Sequence, residues 1–526
     1  MIVRNWIYAV SAGVAVIGLT ATVTNAEEPR THSPAAWLVS GGDIENTHNA
    51  KSNDSLSTAT IPRLKPAWVF ATAGDVSATP TIEGNSLFVP DWGGKLYRID
   101  RKTGLAVWTR SISDFTGIAA SFSRNAPAIT SDAIILGDQA SGTVMAVSRQ
   151  SGTLLWKTVV DTHPAAIITS SPSVFEGKVF VGVASNEEGL ATTPGYKATF
   201  RGSVAALDLN NGKIIWQLRT VPVSYTGGAV WGSSFAIDRR ANALEIATGN
   251  NYTIPDAVRQ CITSAGALAQ KIGCLAPDDY TDSVMSLSIE TGAIRWTRRL
   301  QGPDIWTVNC VVNVKGGVPC PDPVGPDYDF GSAPNLFTIR VNGKPRDLVG
   351  AGQKSGMYWA LDAGTGEMVW GTQVGPGGTT GGIEWGSATD GKRIYVAVNN
   401  SSHLKFTLAG TRTTWNAGSW AALDAATGKI EWQVPATGKN PIDPTNGPGA
   451  LGSITSVNGV MLAGSMSGDM VALDGSNGRI LWTYPAGGSV AAGAAVVGRS
   501  VYWGSGYARF GLGSANKKLF AFRLPE

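Results

Sequence analysis

Charged side chains are scarce: Asp, Glu, Lys and Arg make up 15% of the 526 residues, against about 25% in typical soluble domains. A chain held open by its own charge is therefore excluded. Neither sign dominates, with 42 basic and 39 acidic side chains and a net charge of +3, too balanced for an electrostatic hold on nucleic acid or anionic lipid. A small-molecule partner is expected instead. Cysteine is sparse, with four residues and none before Cys261, so a lipidated N-terminal cysteine is excluded. No Cys-x-x-Cys-His exists for covalent c-type haem, and no Cys-x-x-Cys for zinc. Beyond residue 26 no segment offers the ~18 to 20 uncharged apolar residues of a spanning helix. What is plentiful is glycine: 65 residues, roughly 12% against a usual ~7%, which favours a turn-rich, all-β chain.

The N-terminus has a positive start at Met1–Arg4, an apolar core from Ile7 to Leu19 and a small-residue exit at Thr24-Asn25-Ala26, the pattern of a secretory signal. Residues 1–26 are expected to be a signal peptide, and residues 27–526 one domain exported to the periplasm or secreted. The competing reading is an uncleaved anchor, since Asn5 to Ala26 carries no charge, although Gly, Ser and Thr dilute its second half. In an exported chain the even cysteine count points to disulfides. The short separations suit pairs 261–274 and 310–320, with three pairings formally open.

One phrase recurs: an apolar strand, Asp or a substitute, two or three residues, Gly, three residues, Trp. It occurs as LYRIDRKTGLAVW ending at Trp108, VMAVSRQSGTLLW at Trp156, VAALDLNNGKIIW at Trp216, VMSLSIETGAIRW at Trp296, YWALDAGTGEMVW at Trp370, WAALDAATGKIEW at Trp432 and MVALDGSNGRILW at Trp482. Each copy reads as a hairpin whose glycine takes a positive φ, and two further strand-like runs precede it. Four strands per repeat is a propeller blade. The C-terminal KKLFAFRLPE opens an eighth phrase and stops, while LKPAWVF, with Trp68, supplies an orphan return strand. Joining them predicts eight blades, the last closed by both chain ends, which removes exposed edges. Successive tryptophans lie 40 residues apart from Trp68 to Trp108 but 80 apart from Trp216 to Trp296. The extra length predicts long functional loops over one face.

The Trp-ended, Gly-turned hairpin resembles the tryptophan-docking repeats of the pyrroloquinoline quinone (PQQ) dehydrogenases, over nearly the whole mature chain. The phrases SATPTIEGNSLFVPDWGGKLY, GGAVWGSS, ATGNNY, GPDYDFGSAPNL and LVGAGQKSGMYWALD look most like the polyvinyl-alcohol dehydrogenase branch. The repeat also occurs in non-enzymatic propellers such as the outer-membrane assembly factor, so activity has to be argued from site residues. A planar anionic quinone needs an aromatic floor, cationic and hydroxyl partners for its carboxylates, a hard cation bound by oxygens, and a carboxylate base for the alcohol proton.

The resemblance implies residues for each. Trp231 in GGAVWGSS falls at the cofactor-stacking position. Glu187 in VGVASNEEG and Asn250 in ATGNNY match the two protein ligands of Ca2+, with Glu188 as competing ligand. Asp329 in GPDYDFGSAP matches the catalytic base, with Asp327 and Asp304 as alternatives. Lys354 in GQKSG matches the basic residue that reaches the quinone oxygens, and Arg124 and Thr169 match further polar contacts. Gly331 stands two residues beyond Asp329, where an acid would add a carboxylate for a more highly charged ion. Two departures stand out. Where many relatives cover the quinone with a disulfide between adjacent cysteines, this chain has Gly117-Ile118-Ala119-Ala120. The haem-c segment common in polyvinyl-alcohol dehydrogenases is missing too, so electrons are expected to leave to a separate acceptor such as a c-type cytochrome. The expectation is PQQ-dependent oxidation of an alcohol, secondary or polyvinyl-alcohol-like; the alternative is an exported scaffold for protein interaction.

Overall fold

A computed structural model describes residues 36–232 and 234–526; the expected signal peptide lies outside them. The architecture is an all-β, eight-bladed propeller. The first blade pairs Thr81–Glu83, Ser86–Pro90, Lys95–Asp100 and Ala106–Ser111, with Ala36–Trp37 added on its inner edge. Six further antiparallel blades follow in chain order. The eighth takes Ala495–Val497, Ser500–Ser505 and Lys518–Arg523 from the C-terminus and its outermost strand, Lys65–Ala71, from the N-terminus. In that closing pair Lys65 stands opposite Arg523 and Ala71 opposite Lys518.

The recurring phrase is a machine for closing blades onto each other. Its aspartate caps the turn: Asp100 Oδ1 accepts the backbone N–H groups of Lys102 and Thr103, Asp362 Oδ1 those of Gly364 and Thr365, and Asp424 Oδ1 that of Thr427. Such local side-chain to backbone bonds hold a tight turn. Its tryptophan reaches sideways. The indole N–H of Trp108 donates to Arg149 O of the next blade at 3.3 Å, that of Trp156 to Leu209 O at 2.8 Å, and that of Trp432 to Gly475 O at 2.8 Å. Trp482 donates to Leu64 O at 3.0 Å and Trp68 to Arg101 O at 3.0 Å, so the contact also crosses the junction of the chain ends. The turn glycine is required twice over. Gly428 has φ +72, and a Cβ there would come within 2.4 Å of the preceding blade's Trp370 ring; Gly212 is equally close to Trp156.

The excess length of the middle repeats lies in two segments. One, between Ala243–Ala247 and Ser283–Ser288, carries the helices Asp256–Ser264 and Leu268–Gly273, joined by the Cys261–Cys274 disulfide. The other, between Ile294–Arg299 and Asn335–Val341, carries the short helix Asn309–Val312 and the Cys310–Cys320 disulfide. These are the two local pairings expected from the spacing. No described helix is long and apolar enough to cross a membrane.

Candidate active site

A cavity of about 730 Å3 opens among these insertions, and Arg124, Thr169, Glu188, Trp231, Asp327 and Lys354 are among its lining residues. Its floor is assembled by glycine. Gly227 and Gly228, with φ of +99 and +64, bring the segment before Trp231 against the segment of Asn250: Gly228 N–H donates to Asn250 O at 2.7 Å, and Gly249 N–H to Ala229 O at 2.8 Å. A Cβ on Gly249 would lie 2.8 Å from the Asp329 carboxylate. Three segments distant in sequence are thereby pressed together, and only a missing side chain permits it.

At this junction Asp329, buried, accepts the Trp231 indole N–H on Oδ2 at 2.8 Å and the Asn250 backbone N–H on Oδ1 at 2.7 Å. Lys354 Nζ donates to Asp327 Oδ1 at 3.0 Å, lies 3.6 Å from Asp329 Oδ2, and stands 5.1 Å from the centre of the Trp231 ring. Burial opposes a charge on Lys354, but Asp327 and Asp329 outweigh it and hold the amine well above its ordinary range. Oxygens of Glu188, Asp327 and Asp329 all lie within 4.8 Å of one another. Burial, reinforced by Asp329, pushes Glu188 up to about 7. Burial likewise raises Asp327, although Lys354 pulls the other way. Crowded, desolvated carboxylates resist sharing negative charge, and a hard cation with oxygen ligands relieves that resistance.

Of the residues selected from the sequence, Trp231, Asn250, Asp329 and Lys354 come together, with Arg124 and Thr169 on the cavity wall. Arg124 stacks over Trp385 at 3.8 Å, and the Thr169 hydroxyl donates to Trp231 O at 3.1 Å. Asp329 lies just beneath the cavity and Asp327 on its surface. Asp304 is a clamp: its two oxygens accept the backbone N–H groups of Asp327 and Tyr328 at 3.0 and 2.6 Å.

Glu187 stands apart from them. Its carboxylate is fully buried away from the cavity, where it accepts Tyr196 Oη–H at 3.0 Å and the backbone N–H groups of Thr199 and Phe200, both at 2.9 Å. Its oxygens serve chiefly to fold the 196–200 loop, with His163 Nε2 3.4 Å from Oε1. The neighbouring glutamate, Glu188, presents its carboxylate to the acidic cluster.

Sequence reasoning missed Glu384 and Trp385. Glu384 lines the cavity with Oε1 buried and unpartnered, and burial raises it to about 7 against the pull of Lys354 and Arg124. Trp385 meets Trp231 edge-on at 5.4 Å, has φ +54, and buries an unpartnered indole N–H. A non-glycine residue in that conformation is strained, and such strain gathers at functional positions. The available signal was a repeat: GGIEWGS (381–387) echoes GGAVWGS (227–233).

The donor set fits a bound quinone and cation. Asn250 Oδ1, Asp327 Oδ2 and Glu384 Oε1 are buried without partners, which native interiors seldom tolerate without a ligand or water. Asn250 Oδ1 and the cluster's carboxylates are oxygens suited to Ca2+; Arg124 and Lys354 match an anionic ring.

The family model described as "Outer membrane protein assembly factor BamB" matches residues 64–194 and 354–521, more than half of the chain. A polyvinylalcohol dehydrogenase of Sphingopyxis sp. (strain 113P3) is 32% identical over 78% of this chain and 69% of its own length. A polyvinylalcohol dehydrogenase of Pseudomonas sp is 30% identical over 83% of this chain and 65% of its own. The chain thus spans about two thirds of the curated relatives it matches. Among solved structures, quinohemoprotein alcohol dehydrogenase ADHIIG from Pseudomonas putida HK5 superposes with a TM-score of 0.70 at 17% identity, covering 94% of this chain and 80% of that one, a likeness of fold.

Proposed function

Because the chain belongs to the PQQ-dependent alcohol dehydrogenase superfamily, we propose that it oxidises an alcohol, secondary or polyvinyl-alcohol-like, to the carbonyl with PQQ and Ca2+. One observation carries this reading: Glu188, Asp327 and Asp329 converge within 4.8 Å beside Lys354 and Trp231, at the end of a cavity large enough for a small molecule. Trp231, Arg124, Thr169 and Lys354 would hold the quinone; Glu188 and Asn250 would hold the cation, Glu188 replacing Glu187. When bound, PQQ supplies the two-electron acceptor that no side chain offers.

The chain's own part is acid–base and positional. Asp329 accepts the Trp231 and Asn250 N–H groups beside the Lys354 ammonium, a position from which it would take the substrate's hydroxyl proton. Lys354 also fixes Asp327 against Asp329, and the walls of Trp231 and Trp385 exclude water. A second reading is favoured by one observation: Asp327 lines the cavity with Oδ2 free, which would make Asp327 the proton acceptor and leave Asp329 as cation ligand.

The scaffold alternative draws on the description of the matching family model, but that match omits residues 195–353, the stretch holding Trp231, Asn250, Asp327 and Asp329. We further propose export, supported by the N-terminal sequence pattern and by the two disulfides in the insertions, and transfer of electrons to a separate carrier. The test is reconstitution: protein with PQQ and Ca2+ should reduce an artificial acceptor faster when 2-propanol or polyvinyl alcohol is added. Equal rates with and without alcohol, under conditions that activate a known quinoprotein, would overturn the proposal.

A further inference from the structure

We propose that the mouth of the cavity is an alkyl-binding subsite, in which Leu190, Val311, Val312 and Phe510 receive the hydrocarbon part of the substrate while its carbinol lies at the acidic end. This inference rests on the alcohol-oxidation reading above. The four side chains come from three separate segments, all line the same cavity, and are 37%, 65%, 53% and 52% exposed respectively. A single exposed valine is ordinary. Four exposed apolar side chains lining one cavity offer surface of the kind that marks a binding site.

The patch is also held in place. The Cys310–Cys320 disulfide closes the loop that carries both valines. Within it Asn309 Nδ2 donates to Val318 O at 2.8 Å and Asn309 Oδ1 accepts Val314 N–H at 2.8 Å. Val318 N–H donates to Ala191 O at 2.7 Å, and Val308 N–H to Glu188 O at 3.2 Å. The lip is therefore bonded to the very loop that presents Glu188 to the acidic cluster. Its distance from the chemistry is fixed before substrate arrives, which is where preorganisation gains affinity.

The cavity lining is of two kinds: Glu188, Asp327, Lys354 and Glu384 supply charge, and the exposed Leu190, Val311, Val312 and Phe510 supply apolar surface. A hydrocarbon tail leaving the acidic cluster would cover apolar surface now facing water.

The experiment uses the full chain loaded with PQQ and Ca2+ and compares kcat/KM for 2-propanol, 2-butanol, 2-pentanol and 2-hexanol. The expected result is a rise of about two- to fourfold per added methylene, the upper figure corresponding to the ~0.8 kcal/mol of a fully buried methylene, carried by KM with kcat level. The double variant Val311→Ser, Val312→Ser should flatten the series to below about 1.5-fold per methylene, while Val311→Leu, Val312→Leu keeps it steep. If 2-propanol is oxidised and the wild-type series is flat, or the serine variant keeps the wild-type slope, the subsite falls and alcohol oxidation stands. If no alcohol is oxidised, both fall.

Discussion

Two sets of tryptophans occupy this molecule, and they do opposite things with the same indole. The eight at the blade junctions each donate their N–H to a backbone carbonyl of the neighbouring blade, as Trp370 does to Ala425 O at 3.1 Å, and all but Trp482 lie against a turn glycine. At the centre, Trp231 donates to a carboxylate and Trp385, in a strained conformation, to nothing. A carbonyl fixed in a sheet converts the N–H into stability. A carboxylate or an unmet N–H leaves bonding capacity for something that arrives later.

The largest expected effect sharpens the central half of this contrast. Asp329→Asn should lower kcat by about 10²- to 10⁴-fold, the range for loss of a positioned base, whereas Asp327→Asn should do so only if Asp327 is the acceptor; steady-state kinetics on both variants decides. At the periphery, Trp370→Ala should cost about 3 to 5 kcal/mol of stability, seen as a lower Tm, with PQQ affinity of the folded protein unchanged. Loss of PQQ binding at constant Tm would reverse the assignment of the two sets.

A smaller effect is expected at the aromatic floor. Trp231→Ala should weaken PQQ about tenfold by fluorescence titration, the loss expected for one aromatic stacking contact and its buried area. The adjacent glutamates give a sharper pair. Glu188→Gln should weaken Ca2+ on the order of tenfold by removing one charged ligand, while Glu187→Gln should lower Tm and leave Ca2+ affinity in place; calorimetric titration separates them.

The smallest effect is expected inside a blade. Glu245, fully buried in the strand Ala243–Ala247, is pushed up to about 8 by burial. Its folded pKa exceeds its unfolded one, so the folded state holds the extra proton, and the stability it confers is complete below about pH 4.5 and is lost as pH rises toward 8. Glu245→Gln should therefore raise Tm more at pH 8.5 than at pH 5.5, by thermal melts at both.

What could be read from the sequence follows the same division. The blades were legible because their chemistry is local and repeated: Asp100, Gly104 and Trp108 recur at fixed spacing, and each copy corroborates the others. Trp231, Asn250 and Asp329 were selected through resemblance, since nothing in their own segments says that Gly249 lets a carboxylate 80 residues downstream lie against it. Glu187 and Glu188 could not be told apart, because adjacent residues in a short helix, Glu187–Leu190, point in different directions and only the 196–200 loop decides which one is used up. Glu384 was missed because a lone acid in a glycine-rich turn looks solvated until the neighbouring blades bury it.

The closing strand has a consequence for how the protein is made. Lys65 finds Arg523 only when nearly the whole polypeptide exists, so seven blades are synthesised, and on the export reading delivered, before the ring can shut. Until then Lys65–Ala71 has no partner strand, and its open edges are a standing invitation to other unfinished chains. Quality control of this protein is thus concentrated at a single late event, and conditions that delay it should raise the yield of misassembled chains without altering the finished molecule.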